Sequence, residues 1–324
     1  YGRRKNSDGL DLSDAARVKD LEVAIKMARR TDWVAEPLMT ELCKGGATTL
    51  VENPATKELS GSVTFASVAD CDKAVQTARQ SWEDWDGLGG EARAAILFKA
   101  GDLLEENMDR LIGLLAREAG KTLDDGVAEV REAVDFCRYY AAEARENFES
   151  AEVMPGPTGE TNELFLGGRG VFVCISPWNF PLAIFSGQVT AALASGNAVL
   201  AKPAEQTPLI AYEAVKLFYK AGVPKDVLQL LPGEGDVGAA LTSHEGIDGV
   251  AFTGSTEVAQ IINRTLAAKE GPIATLIAET GGLNGMFVDS TALIEQVSDD
   301  VIRSAFGSAG QRCSALRILF VQDD

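Results

Sequence analysis

The sequence predicts an α/β protein: a parallel sheet covered by helices on both faces, preceded by a group of helices. Three observations predict it. Apolar stretches at 171–175, 198–201, 227–231, 250–252, 275–278 and 286–288 are short and rich in Val, Ile, Leu and Ala, as in strands buried on both faces. Helical stretches such as 210–221 and 256–268 stand between most of them, the alternation expected of a wound parallel sheet. Ahead of them the apolar residues recur at helical spacing instead.

Taken in order, residues 1–47 read as a linker or arm with one helix around 21–28, after the charged start Tyr1-Gly2-Arg3-Arg4-Lys5. Residues 48–290 are expected to form the main domain, and 291–324 the beginning of the next one. Asn53-Pro54-Ala55-Thr56 is a turn. Asp70 is expected to cap a helix that turns Ala74, Val75, Ala78 and Trp82 inward. A second helix places Ile96, Leu97, Ala100, Leu103 and Leu104 on one stripe, and a third adds Leu111, Leu114 and Leu115 and stops at Gly120. A fourth spans 127–145, with Val127, Val130, Val134, Cys137 and Tyr140 or Phe136 inward. Such stripes ordinarily face a core. Pro155-Gly156-Pro157 then breaks the pattern, and a final helix is expected over 294–309.

Composition excludes several classes of function. With 324 residues and a net charge of −18, the chain has room for two domains and lacks the basic surface that nucleic acid or anionic membrane requires. It contains no 18-residue apolar run that would span a membrane, and its start is not a signal peptide. Cys43, Cys71, Cys137, Cys174 and Cys313 are widely spaced, without a CxxC pair, so neither a metal site nor a disulfide framework is indicated. A reducing, cytoplasmic compartment fits that usage. His244, the single histidine, lies in a polar run and reads as a solvated loop residue.

Ligands of parallel sheets sit at the carboxyl ends of the strands, and polar and glycine residues gather there. They are Ser176-Pro177-Trp178-Asn179-Phe180-Pro181, Lys202-Pro203-Ala204-Glu205, Pro232-Gly233-Glu234-Gly235-Asp236-Val237-Gly238, Thr253-Gly254-Ser255 and Glu279-Thr280-Gly281-Gly282. The third matches the Rossmann-type GxGxxG, a weak dinucleotide signal alone. Thr253-Gly254-Ser255 competes with it, because it opens a helix whose free N–H groups suit a phosphate. Local sequence leaves that choice open. Lys202 and Glu205 have the chemistry to hold ribose hydroxyls, or to form a surface ion pair. Gly310-Gln311-Arg312-Cys313-Ser314 follows the last helix. Most lone cysteines are buried and inert, but small and polar neighbours with an adjacent arginine suit a reactive thiol.

Five of these motifs, Ser176 to Pro181, Lys202 to Glu205, Phe252 to Ser255, Glu279 to Gly282 and Gly310 to Cys313, stand in the order and spacing of the aldehyde dehydrogenase superfamily, which the chain resembles from about Asn53 onward. The opening, through Asn6-Ser7-Asp8-Gly9-Leu10-Asp11-Leu12, resembles the junction that follows a proline dehydrogenase barrel in one bifunctional branch. Cys313-Ser314-Ala315-Leu316-Arg317 and Thr280 also look like that branch, whose aldehyde dehydrogenase half oxidises L-glutamate γ-semialdehyde.

The resemblance implies a Rossmann-type NAD-binding domain of aldehyde dehydrogenase type, the start of a second α/β, catalytic domain, and a set of roles. Cys313 is the nucleophile, Glu279 the general base, and Asn179 with the Cys313 N–H the oxyanion site. NAD is expected against Ile175, Ser176, Pro177, Trp178, Lys202, Ala204, Glu205, Phe252, Thr253, Gly254, Ser255, Val258, Thr280 and Gly281. Ser255 would touch the pyrophosphate, and Gly235 and Gly238 would lie toward the adenine. Arg312 and Ser314 are expected at the substrate, and Glu205 favours NAD over NADP. FAD would belong only to a separate upstream proline dehydrogenase domain. A homo-oligomer is implied, as is further chain beyond Asp324 carrying a second glutamate, the substrate's carboxylate anchor and an oligomerisation hairpin; without it the site is expected to be open and inactive. The alternatives are another aldehyde dehydrogenase, for example one acting on succinate semialdehyde, and a non-catalytic NAD-binding module.

Overall fold

The computed structural model describes residues 4–41 and 45–323. Tyr1, Gly2, Arg3 and Cys43 lie outside the described residues. Helix α1 (Ala15–Arg30) is capped by Asp14, whose carboxylate accepts from the Ala16 N–H. Strands β1 (Trp33–Ala35), β2 (Thr48–Glu52) and β3 (Leu59–Thr64) form a three-stranded sheet with β3 central, parallel to β1 and antiparallel to β2. The Asn53 carboxamide accepts from the N–H groups of Ala55 and Thr56 and so makes the expected turn. Much of the segment expected as an arm is thus packed into the fold. Leu21 and Ala35 are fully buried, and burying apolar side chains is what holds a segment down.

Four helices follow: α2 (Val68–Asp86), α3 (Gly89–Glu106), α4 (Met108–Glu118) and α5 (Leu123–Asn147). The first is capped by Ser67 rather than by Asp70. Asp70 is its third residue and completes a capping box, with its carboxylate accepting from the Ser67 N–H at 2.8 Å. Either residue is a good cap by type, and the reciprocal bonds decide the register. The inward residues expected of these helices are buried, apart from Trp82, Ile96, Phe136 and Tyr140, which are half-buried. Antiparallel β4 (Glu152–Met154) and β5 (Asn162–Leu164) come next.

The main sheet holds β6 (Val171–Ile175), β7 (Ala198–Lys202), β8 (Leu228–Leu230), β9 (Gly249–Thr253) and β10 (Thr275–Glu279). All pairs are parallel, in the order β10-β9-β6-β7-β8. Helices α6 (Ala183–Ala194), α7 (Pro208–Ala221), α8 (Gly235–Ser243) and α9 (Thr256–Ala267) connect them. Successive residues of β7 and β8 are buried, so those strands are covered on both faces, whereas the edge strand β10 is half exposed. Strand order reverses between β6 and β9, which opens a crevice at their carboxyl ends.

Beyond the sheet, β11 (Asn284–Val288), α10 (Ile294–Phe306) and β12 (Leu316–Val321) form a separate unit in which β11 and β12 pair in parallel. The stretch expected as a sixth alternating strand, 286–288, therefore leaves the main sheet. The last helix ends three residues short of expectation, because Ser308 and Ala309 take left-handed φ values of 54° and 55°. Among the described residues no helix is long and apolar enough to cross a membrane.

Candidate active site

The crevice at the switch point is a cleft of about 910 Å³. Every residue expected at the cofactor lines it, from Ile175 to Trp178 after β6, through Lys202, Ala204 and Glu205 after β7, to Phe252–Ser255 after β9. Gly235, Gly238, Val258, Thr280 and Gly281 also line it, as do Asn179, Arg312 and Cys313.

Two helix N-termini face this cleft, and their surroundings differ. The one at α9 is capped by Ser255, whose Oγ accepts from the Val258 N–H at 3.3 Å. A Cβ on Gly254 would stand 2.6 Å from the tip of the Phe252 ring, so a larger residue there would push that ring aside. The α8 terminus, where GxGxxG stands, has Glu234 as its cap residue and Asp236 in its first turn. Two carboxylates work against a phosphate at that end. Of its glycines only Gly233 is tightly packed, where a Cβ would meet the Val237 side chain at 2.4 Å; one on Gly238 would make ordinary contact with the Lys202 stem at 3.6 Å.

Lys202 is buried with its Nζ 4.0 Å from Glu205 Oε2. Burial pulls its ammonium below the ordinary lysine range, and Glu205, Asp236 and Glu234 oppose that. The Ser176 Oγ is buried without a hydrogen-bond partner beside the cleft. A buried lysine and an unpartnered hydroxyl on the wall of one long cleft fit a polar, hydroxyl-rich ligand such as a dinucleotide. Gln188, from α6, ties the crevice together by donating to the Ile175 carbonyl at 3.1 Å and the Thr253 hydroxyl at 2.9 Å.

Of the candidate reactive groups, Cys313 and Asn179 line the same cleft, whereas Glu279 and Ser314 are not among its lining residues. Cys313 is exposed in a turn before β12. The Asn284 carboxamide holds that turn, donating to the carbonyls of Cys313 at 2.8 Å and Ala315 at 3.0 Å. Cys71, Cys137 and Cys174 are buried, and burial pushes the Cys174 thiol up to about 12. The Asn179 Nδ2 donates to the Gln311 carbonyl at 2.8 Å, which joins the loop after β6 to the loop of the nucleophile. Behind it, Lys121 Nζ donates to the Asn179 carbonyl at 2.5 Å and pairs with Glu129 Oε2 at 3.3 Å.

Glu279 ends β10 and is exposed, and its carbonyl accepts from the Gly254 N–H at 3.1 Å. Arg312 lines the cleft, but its guanidinium donates to the Arg303 and Ser304 carbonyls at 3.0 and 3.4 Å. These bonds cap the end of α10 and hold Arg312 at the cleft wall. Ser314 is exposed in the same turn. His244 is not a free loop residue. Its Nε2 lies 3.1 Å from Asp72, and its Nδ1 accepts from the Gly246 N–H at 2.9 Å. Among the described residues no group of three or more His, Cys, Asp or Glu is set to hold a metal ion.

Sequence reading did not single out Lys121, Glu129, Gln188, Asn284 or Gln311. The available signal was small: Gln311 stands in the noted motif at 310–314 and Asn284 two residues beyond Gly282, while the others lie inside helical patterns or at their ends.

Comparison with known proteins agrees with this geometry. A model of the aldehyde dehydrogenase family matches residues 43–324. The bifunctional protein PutA of Klebsiella aerogenes is 49% identical over 330 residues, covering 100% of this chain and 24% of that protein. The 1-pyrroline-5-carboxylate dehydrogenase of Geobacillus sp. (strain WCH70) is 39% identical over 277 residues, 84% of this chain and 54% of its own length. A crystal structure of 1-pyrroline-5-carboxylate dehydrogenase from Thermus with bound NAD superposes with a TM-score of 0.94 at 32% identity, covering 98% of this chain and 63% of that one. This chain thus spans about a quarter of the bifunctional relative and about half of the shorter one. From the match over residues 43–324 and the shared fold, the chain belongs to the aldehyde dehydrogenase family.

Proposed function

We propose that this chain is the cofactor-binding and nucleophile-bearing part of an enzyme that oxidises L-glutamate γ-semialdehyde to glutamate with NAD⁺. The observation that carries the reading is the shared cleft: the Cys313 turn, the Asn179 carboxamide and the wall from Ile175 to Ser255 all open into it. The names of the relatives supply the substrate class, and the activity belongs to the complete polypeptide.

In this mechanism the Cys313 thiolate attacks the aldehyde carbon and makes it tetrahedral, which is what allows hydride to leave. The Asn179 Nδ2 and the Cys313 N–H hold the negative oxygen. When bound, NAD⁺ supplies the hydride acceptor; Lys202 and Glu205 would hold its adenosine ribose and the N-terminus of α9 its pyrophosphate. The Cys313 thioester that remains is hydrolysed by water, from which Glu279 takes a proton. Cys313 leaves as thiolate and the product leaves as a carboxylate.

Glu205 next to the ribose site disfavours a 2′-phosphate, so NAD is preferred to NADP. The likeness to bifunctional relatives favours an upstream proline dehydrogenase domain; FAD confined to that domain, a cytoplasmic location and a homo-oligomer are further parts of the same proposal. The test of the substrate is kcat/KM for the complete polypeptide with glutamate semialdehyde and with succinate semialdehyde. A site that hydrogen-bonds an α-amino acid rejects an analogue lacking it by orders of magnitude, about 10⁴-fold in favourable cases. Equal values, or a preference for succinate semialdehyde, would overturn the assignment.

A further inference from the structure

Two charged side chains are buried behind Asn179, and the chemistry above makes no use of either. Lys121 is 5% exposed and Glu129 is fully buried. A buried ion pair adds little stability by itself, since removing two charges from water offsets their attraction. Its contacts here converge on one short segment, the loop between β6 and α6.

Lys121 Nζ donates to the Asn179 carbonyl at 2.5 Å, lies 4.2 Å from the centre of the Phe180 ring, and sits 3.3 Å from Glu129 Oε2. The other oxygen of Glu129 accepts from the Leu182 N–H at 2.8 Å and from the Ala183 N–H at 3.5 Å. Those N–H groups begin α6, which has no side-chain cap of its own. The pair therefore grips the loop at Asn179 and again three residues on.

The side chain of Asn179 is fixed from a third direction. Its Nδ2 carries two hydrogens, and one is directed to the Gln311 carbonyl, 2.8 Å away. With the backbone held by Lys121 and the amide roll set by Gln311, the second N–H has one direction left to it. An oxyanion donor works by being aimed before charge develops, and a misplacement of about 1 Å can cost roughly 10²-fold in rate.

We propose that Lys121 and Glu129 are positioning residues that aim the Asn179 amide at the oxyanion. This rests on the reading of Asn179 as an oxyanion donor. Lys121 touches neither substrate nor cofactor in this scheme; it acts through the Asn179 carbonyl, and Glu129 acts through Lys121 and the start of α6.

The test is a double-mutant cycle in the complete polypeptide, with NADH formation from glutamate semialdehyde as the readout. Lys121→Met is expected to lower kcat by about 10- to 100-fold while KM for NAD⁺ stays within about threefold. In an Asn179→Ala background the same substitution is expected to change kcat less than about twofold, because the group it positions is gone. Glu129→Gln keeps an acceptor for the α6 N–H groups and removes the charge; it is expected to show the same pattern and serves if Lys121→Met does not fold. A Lys121→Met enzyme with wild-type kcat overturns the proposal, as does a full additional loss on top of Asn179→Ala. Loss of folding in both variants overturns it too, by making the pair purely structural. If Asn179→Ala is itself fully active, the oxyanion reading fails and the proposal falls with it, an outcome the single variant identifies.

Discussion

Replacing Ser255 by Asp separates the two candidate phosphate sites. Ser255 caps α9 through its Oγ, which accepts from the Val258 N–H at 3.3 Å. Aspartate caps a helix as well as serine does, so folding stability is expected to stay within about 0.5 kcal/mol. The new carboxylate lies on the cleft wall at the helix end assigned to the pyrophosphate. Two unit charges about 4 Å apart repel by roughly 1 kcal/mol in water and roughly 4 kcal/mol near a protein surface. Ser255 is exposed, so the lower part of that range applies. With two pyrophosphate charges the cost is about 2–3 kcal/mol, which raises the NAD⁺ Kd by about 30- to 150-fold. Gly235→Ala is the control, because a Cβ there meets nothing within 4 Å. That methyl group would obstruct a pyrophosphate seated on GxGxxG, whereas with the pyrophosphate on α9 it meets only the adenine end, and Kd should weaken clearly less than in Ser255→Asp. Calorimetric titration of NAD⁺ into the complete polypeptide reads both, and urea unfolding checks stability. A Ser255→Asp Kd within threefold of wild type, or an equal weakening by Gly235→Ala, would refute the assignment to α9.

Other expectations follow from the same geometry. Glu279→Gln spares attack and hydride loss and stops hydrolysis, so a burst of about one NADH per site should precede a steady state slower by about 10²-fold or more, with an acyl adduct on Cys313 visible by intact mass. A steady state within fivefold of wild type would remove Glu279 as the base. Glu118, at the end of α4, is fully buried and accepts from the N–H groups of Leu209 and Ile210 at the start of α7. Burial pushes its carboxyl from 4.5 to about 8 against those two bonds. Between those values the folded chain keeps a proton that the unfolded chain has released, so Glu118 favours folding less as pH rises through this window and levels off above it. Urea midpoints from pH 5 to 7.5 should fall more steeply for wild type than for Glu118→Gln, by up to about 1.4 kcal/mol per pH unit; parallel curves would contradict this.

The sheet and the residues at its strand ends were legible because buried strands leave continuous apolar runs and strand-end turns need glycine and polar residues. Every residue expected at the cofactor lines the cleft; most stand where a strand stops, while Val258, inside α9, was implied only by the family resemblance. What escaped was structure fixed by partners distant in sequence. Strand β1 is only three residues long and β2 is partly polar, and both are held by pairing with β3. The end of α10 depends on left-handed Ser308 and Ala309, conformations that neither residue type advertises. Arg312 beside the nucleophile was expected at the substrate, and its bonds to the α10 carbonyls were not legible in its local sequence. Lys121 and Glu129 read as polar positions at and near the start of a helix. Their meaning comes from Asn179 and Leu182, 58 and 53 residues away.

The most direct test of the central claim is NADH formation, followed by absorbance, with glutamate semialdehyde as substrate. The complete polypeptide and its Cys313→Ala variant would be measured side by side, with NAD⁺ binding determined for both. The account predicts turnover by the wild type, none by the variant, and equal NAD⁺ affinity. Turnover by Cys313→Ala would remove the nucleophile from the mechanism. A wild type that binds NAD⁺ but forms no NADH would make this a binding module rather than the catalytic part of a dehydrogenase.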